Sequence, residues 1–120
     1  MPSKYATLQD AKSDGFIARG WLPDFLPSTT VNIRASNNLD LNTSTGEFEF
    51  QPSEFPLFAT RLHEHQARQA PFKNWEAHVQ EKFANGHFVG EFNENRATWV
   101  FLCPKARNSC QYVMWLHRHG

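Results

Sequence analysis

The stretch that decides the fold is Gly20–Phe50, which reads GWLPDFLPSTTVNIRASNNLDLNTSTGEFEF. It opens with two Leu-Pro steps. A proline cannot donate a backbone hydrogen bond and pushes the preceding residue toward extended geometry, so a stiff, non-helical connection is predicted here. An alternating pattern follows, in which Val31, Ile33 and Ala35 share one face of a predicted strand.

A second strand is predicted at Glu47–Phe50, after a turn over Thr43–Gly46 that is rich in the residue types that favour turns. If the two strands pair, Arg34 meets Glu47 or Glu49 on the polar face of the sheet. The stretch therefore predicts a β-hairpin with one apolar and one polar face.

Outward from this hairpin, the sequence predicts helices before and after it and a meander of strands at the end. The helices are predicted at Thr7–Asp14, from Ser53 to just before Ala70, and after an Asn74 cap with the buried stripe Trp75, Val79 and Phe83. Strands are predicted at His87–Phe92, Ala97–Cys103 and Cys110–Leu116.

These elements define the expected fold class. The run Trp99–Leu102 is apolar on both faces, which is typical of a central strand that is covered on both sides. We expect an α+β fold: an antiparallel sheet of about five strands, with two to three helices packed mainly on one face. The 120 residues are predicted to form a single compact domain, residues 1–120.

Composition and charge restrict the classes of function. Twelve basic and twelve acidic side chains give a formal net charge of zero, which makes a nucleic-acid partner unlikely because such proteins usually carry a basic excess. No apolar run approaches the roughly 20 residues that span a bilayer. The first residues lack a secretion signal, so as written the chain is cytoplasmic; a removed leader would place it in the cell envelope.

The two cysteines, Cys103 and Cys110, lie at the two ends of one predicted hairpin. They either face each other as a disulfide or remain two reduced thiols, and the spacing alone leaves both states open. Their separation fits neither a Cys-x-x-Cys redox site nor a zinc ribbon.

The histidines do not form a recognisable metal site. His63 and His65 lie two residues apart on a predicted helix, so they point in different directions, and His117 and His119 have no acidic residue or cysteine nearby in ligand spacing. The sequence also lacks nucleophile-elbow, phosphate-loop and zinc-protease motifs. We therefore expect no metal and no cofactor, and a non-enzymatic role is favoured over an enzymatic one.

A string of residues in the first half points to a family. It consists of Tyr5-Ala6-Thr7-Leu8, Asp14-Gly15, Arg19-Gly20-Trp21-Leu22-Pro23, Leu26-Pro27, Asn32-Ile33 and Leu39-Asp40-Leu41-Asn42. Over about residues 5–50 the string resembles the YbbD-like family of small bacterial proteins. That resemblance implies no defined activity; it implies an envelope location, which favours the disulfide, and through relatives that sit near toxin-type genes an immunity-like binding role.

The leading functional hypothesis is a non-enzymatic bacterial domain that binds another protein, as an immunity or inhibitor module. The predicted contacts lie in the proline-rich crossing and the polar turn, and they are Trp21, Arg34, Asn37, Asp40 and Asn42. One alternative is a small hydrolase or nucleic-acid-processing enzyme that uses a His with an Asp or Cys; His78, His87 or His117 beside a carboxylate in a pocket would favour it. A second alternative is a structural envelope domain.

Overall fold

The computed structural model describes residues 2–65, 71–94 and 96–117. Within them the chain forms short helices and longer strands. The strands are β1 (Pro2–Thr7), β2 (Val31–Asn38), β3 (Thr43–Glu49), β4 (His63–Glu64), β5 (Phe88–Glu94), β6 (Ala97–Cys103) and β7 (Ser109–Leu116). The helices are α1 (Leu8–Ser13), α2 (Phe55–Ala59), which follows a 3-10 turn at Pro52–Glu54, and α3 (Trp75–Ala84).

The strands form one seven-stranded sheet in the order β1-β2-β3-β7-β6-β5-β4, and each pair of neighbours is antiparallel. The last strand, β7, is inserted between β6 and β3, and it pairs with β3 along the whole of that strand. The first and second halves of the chain therefore meet at the β3–β7 pair.

The predicted fold class, an α+β arrangement of about five strands with helices mainly on one face, was wrong. The sheet has seven strands, the helices are few and short, and α3 packs on the face opposite α1 and α2. Edge strands β1 and β4 account for the two extra strands. Both are largely exposed and lack the apolar alternation by which a strand is recognised, because one of their edges and much of their surface face solvent.

One face of the sheet carries the larger apolar core. Alternate side chains such as Ile33 on β2, Phe48 on β3 and Tyr112 on β7 are buried against α1, α2 and the crossing segment at residues 14–30. The helix α1 begins where the Thr7 hydroxyl accepts a hydrogen bond from the Asp10 backbone N–H at 3.1 Å. Leu22 and Leu26 of this crossing are buried in the same core.

The second face carries a smaller apolar cluster beneath α3. Val100, Leu102 and Trp115 of the sheet are buried against Trp75 and Val79 of the helix. Every residue of β6 is buried, so the prediction that this strand is covered on both faces is confirmed. Strands β1 to β3 remain open on this face, where Arg34 is paired with Glu47 at 4.0 Å, as predicted.

The helix predicted after Ser53 ends early. α2 ends at Ala59, and the Thr60 hydroxyl donates back to the Leu57 carbonyl oxygen, so the chain turns and His63–Glu64 pairs with β5 instead of continuing the helix. The predicted stripe of α3 is buried at Trp75 and Val79, but Phe83 is exposed. Thr43–Gly46, which was predicted to form a turn, belongs to strand β3, because the turn lies immediately before it, at residues 39–42.

Candidate functional site

The five predicted contact residues do not form one surface. Trp21 is half-buried against the larger core, and its backbone oxygen accepts a hydrogen bond from the Trp99 indole N–H at 3.0 Å. Arg34 lies between buried Ile33 and Ala35 on β2, so its side chain points to the opposite face. Trp21 and Arg34 are thus separated by the sheet.

The other three predicted residues lie in or beside the β2–β3 turn. Asn37 is half-buried, and its side-chain oxygen accepts a hydrogen bond from the Ser44 hydroxyl at 2.6 Å. Asn42 adopts a left-handed backbone conformation, with φ of 55°, and its carbonyl oxygen accepts from the Leu116 backbone N–H at 3.1 Å. Asp40 is exposed at the tip. The two asparagines therefore shape the turn, and Asp40 projects from it.

Three exposed leucines lie at this same end of the sheet. Leu39 is 67% exposed, Leu41 is 63% exposed, and Leu116 on the neighbouring strand β7 is 42% exposed. We call Leu39, Asp40, Leu41 and Leu116 the leucine end. In the sequence, Leu39 and Leu41 flank an aspartate inside an Asn-rich turn, where leucines have no core to enter, and this is the signal from which the surface could have been predicted.

Hydrogen bonds fix the shape of the leucine end. The Asn38 side-chain oxygen accepts from the Leu41 backbone N–H at 3.1 Å, and the register Asn38↔Thr43 closes the turn on its other side. β7 supports it through Leu116, which donates to Asn42. The leucines are therefore carried by a braced turn rather than by a loose loop.

A second candidate site is a network of polar side chains around β4 and β5. Glu91 is 0% exposed; one carboxylate oxygen is 3.1 Å from His65 Nδ1 and the other accepts from the Asn93 amide at 3.0 Å. The Asn93 amide also donates to His63 Nε2 at 3.0 Å, and its oxygen accepts from the Thr98 hydroxyl. The network thus links three strands of the sheet.

The hydrogen-bond partners in this network indicate which ring nitrogen of His63 and of His65 carries a proton. Asn93 spends both amide hydrogens on Glu91 and His63, so His63 Nε2 is an acceptor, and its Nδ1 carries the proton directed at the Glu64 carbonyl oxygen 3.1 Å away. Because a carboxylate only accepts, the proton of His65 lies on Nδ1. In the neutral ring, His65 Nε2 therefore carries a lone pair.

Four buried side-chain polar atoms have no hydrogen-bond partner in the described part of the chain: His65 Nε2, Trp75 Nε1, Glu76 Oε1 and His87 Nδ1. His65 Nε2 and Glu76 Oε1 lie 3.5 Å apart. His65, whose side chain is only 9% exposed, also lines a cavity of about 190 Å³ between α3 and the sheet edge. No sequence pattern indicates this cluster, because the sequence predicts His65 on a helix and Glu91 lies 26 residues away.

Of the histidines named for the enzyme alternative, His87 lines a neighbouring cavity of about 390 Å³ that also includes Glu64 and Phe83. His117 contacts the Thr98 hydroxyl rather than a carboxylate, and His78 is exposed on α3. Burial lowers the pKa of His87, and the positive charges of Lys82 and Arg107 lower it further. Among residues 2–65, 71–94 and 96–117, no group of three or more His, Cys, Asp or Glu side chains is placed to hold a metal ion.

Cys103 and Cys110 lie at the ends of β6 and β7, where the two strands join, and the structure links them by a disulfide. Both residues are buried in the larger core, at 0% and 1% exposed. The Arg107 side chain closes the intervening turn by donating to the Cys103 carbonyl oxygen at 2.8 Å.

The segment that contains strands β1 to β3 matches a known protein family. Residues 1–49 match the YbbD head domain. The YbbD-like resemblance seen in the sequence is therefore confirmed over this segment, which contains β1, α1, the crossing, β2 and β3. No curated protein and no solved structure matches the chain.

The YbbD head segment, residues 1–49, contains all five predicted contact residues and two of the three leucines of the leucine end. The polar network lies outside it, on and beside strands β4 to β6. In the part of the chain that the structure describes, no helix has the length and apolar character required to cross a membrane.

Proposed function

We propose that this chain is a small, non-enzymatic protein-binding domain that contacts its partner through the leucine end. The observation that carries the proposal is the exposure of Leu39, Leu41 and Leu116 at one end of the sheet. None of the three belongs to either apolar core, so the fold does not require them to be leucine. Apolar side chains grouped at a projecting turn are typical of contact surfaces.

The geometry of the turn suits recognition. Because Asn38, Asn42 and the backbone of β7 already hold it, little conformational entropy is lost when a partner binds. Asp40 lies between two leucines and is exposed, so it favours a partner that places a basic group opposite it. Arg34 and Glu47, exposed further along the same hairpin, supply polar groups for the rim of such an interface.

The form of binding that we propose is that of an immunity or inhibitor module, in which a braced hairpin end enters a cleft of the partner. Two observations support a protein partner over a nucleic acid. The net charge is zero, and the projecting end carries an acidic rather than a basic side chain. The match to the YbbD head domain supports a shared role for the segment that carries the hairpin.

The test compares two sets of leucine variants. The double variant Leu39→Ser/Leu41→Ser removes the leucine end, and Leu57→Ser, at a 77% exposed position on α2, is the matched control. The immobilised protein is used to capture a partner from bacterial lysate, and the purified partner is then titrated against each variant. Each leucine is about two-thirds exposed. Burying a leucine fully is worth roughly 1.5–3 kcal/mol, so the double variant is expected to weaken binding by about 30-fold or more.

Unchanged binding by the double variant would remove the leucine end from the interface and refute the proposal. Wild-type protein that forms a concentration-dependent dimer by light scattering, lost in the double variant, would also refute it, because the leucines would then serve self-association. An equal loss of affinity in the Leu57→Ser control would show that any exposed leucine contributes to binding non-specifically.

A second candidate function, the enzyme, is favoured by one observation. Glu91 orients a buried histidine, His65, that lines a cavity, and a carboxylate–histidine pair is a common general-base arrangement. Neither Cys103 nor Cys110 is a free nucleophile, because they form the disulfide. If the pure protein hydrolyses an ester or a phosphodiester and the His65→Gln variant does not, the enzymatic function would be supported over the binding function.

A further inference from the structure

The cavity beside α3 combines unpaired acceptors with an apolar wall. It is lined by Glu64, His65, Val79, Gln80, Phe83 and Val89, and its volume is about 190 Å³. Glu76, Val79, Gln80 and Phe83 follow the i, i+3, i+4, i+7 spacing along α3, so Glu76 lies on the cavity side of the helix. The described lining contains no Lys or Arg.

At one end of this stripe, two acceptors face each other. His65 Nε2 and Glu76 Oε1 are 3.5 Å apart, and neither atom has a hydrogen-bond partner. Both atoms are buried, although the Glu76 side chain as a whole is 45% exposed and that of His65 is 9% exposed. A buried acceptor atom without a donor is costly. The pair is completed either by a proton on His65 Nε2, which makes it an ion pair with Glu76, or by an external group that donates to both atoms.

We propose that this cavity is a binding site for a small organic ammonium ion, whose N–H groups donate to His65 Nε2 and Glu76 Oε1. An ammonium has the hydrogens to satisfy both acceptors and the charge to match Glu76 and Glu64. Its carbon body packs against Val79, Phe83 and Val89. This gives Phe83, which is 66% exposed and outside both cores, a role as the outer wall.

The cavity, about 190 Å³ and partly open to solvent, has room for the carbon body of a short alkylamine. Glu91 contributes to the site through His65. Glu91 fixes the proton of His65 on Nδ1 and so keeps Nε2 an acceptor, which makes Glu91 a positioning residue for the site.

The test titrates n-butylammonium chloride into ¹⁵N-labelled protein and follows the His65 ring and the α3 amides by NMR at pH 8. n-Butanol and sodium butyrate are the matched probes, because they have similar carbon bodies without the cation. Glu76→Gln removes the charged acceptor, and Glu81→Gln, an exposed residue of the same helix, is the control. We expect saturable shifts with the amine alone. Glu76→Gln should weaken them by about tenfold to a hundredfold, and Glu81→Gln should leave them unchanged.

Three outcomes would overturn the proposal. The first is the absence of saturable shifts with the amine, which would leave the pair to an ordered water. The second is an equal effect of n-butanol or of Glu81→Gln, because binding would then not depend on the acceptor pair. The third is a His65 ring that is doubly protonated at pH 8 without amine and loses that proton in Glu76→Gln, since the imidazolium itself would then be the missing donor. None of these outcomes bears on the leucine end.

Discussion

The disulfide gives the prediction whose magnitude can be worked out most directly. Cys103 and Cys110 are seven residues apart, so the bond closes a loop of roughly eight residues. The loop-entropy relation gives an unfolded-state entropy loss of about 8 cal/mol/K, or about 2.5 kcal/mol of stability at 25 °C. At about 2.1 cal/mol/K per residue, a chain of 120 residues has an unfolding entropy near 0.25 kcal/mol/K. Reduction is therefore expected to lower the Tm by about 10 °C.

The assay is thermal unfolding followed by circular dichroism, on oxidised protein and on protein unfolded, reduced with a phosphine and refolded. Both sulfur-bearing residues are buried, so reduction has to be carried out on the unfolded chain. The double variant Cys103→Ala/Cys110→Ala is the control, and the phosphine should not change its Tm. A decrease of less than about 3 °C in the wild type would refute the reasoning, because it would mean that the β6–β7 hairpin persists in the unfolded chain and leaves little entropy to lose.

Three further predictions concern single side chains. Gly46→Ala should lower the free energy of unfolding by about 3 kcal/mol or more in urea titration, since its Cβ would lie 2.2 Å from the Arg34 carbonyl oxygen. Gly20 has open space around it, so Gly20→Ala should lower that free energy by only about 1 kcal/mol, through the positive φ at this position. Burial raises the pKa of Tyr112 from 10.0 to about 12, so its contribution to stability should be constant below pH 10 and be lost between pH 10 and 12, where only the unfolded state loses the proton; Tyr112→Phe should reduce that loss. Hydrogen bonds from Ser28 and Thr29 lower the pKa of Glu54, so the contribution of Glu54 to stability is present above its usual pKa of 4.5 and is lost on acidification. The Tm of Glu54→Gln should therefore fall less than that of the wild type between neutral pH and pH 3. An equal fall would contradict this assignment.

The parts of the fold that could be predicted from sequence are those where burial leaves a periodic pattern. β6 was predicted with its bounds because Trp99–Leu102 is apolar on both faces, and the pairing of Arg34 with Glu47 followed from alternation on two strands. β1 could not be predicted, because residues such as Lys4 carry no strand pattern. That segment is a strand because the free edge of β2 pairs with it.

The candidate sites were harder to predict, because they depend on contacts that are distant in sequence. The turn was predicted at Thr43–Gly46, just after Asp40 and Asn42, and nothing in the sequence shows that Leu116 lies beside the turn that these two residues form. The pairing of His65 with Glu91 requires the β4–β5 register, and two residues of strand are too few to be recognised by periodicity. Trp21 was expected in the contact surface, but its bond with Trp99 holds it on the other face.

The position of β7 has a consequence for how the chain is made. A ribosome emits β3 well before β7, at about 5–20 residues per second, so for several seconds β3 has no neighbour on one side. During that interval its open edge is exposed to pairing with other nascent chains, and a chaperone that shields it would raise the yield of soluble protein. The YbbD head segment is translated before β7, so the outer edge of its β3 strand is covered only when β7 has been made.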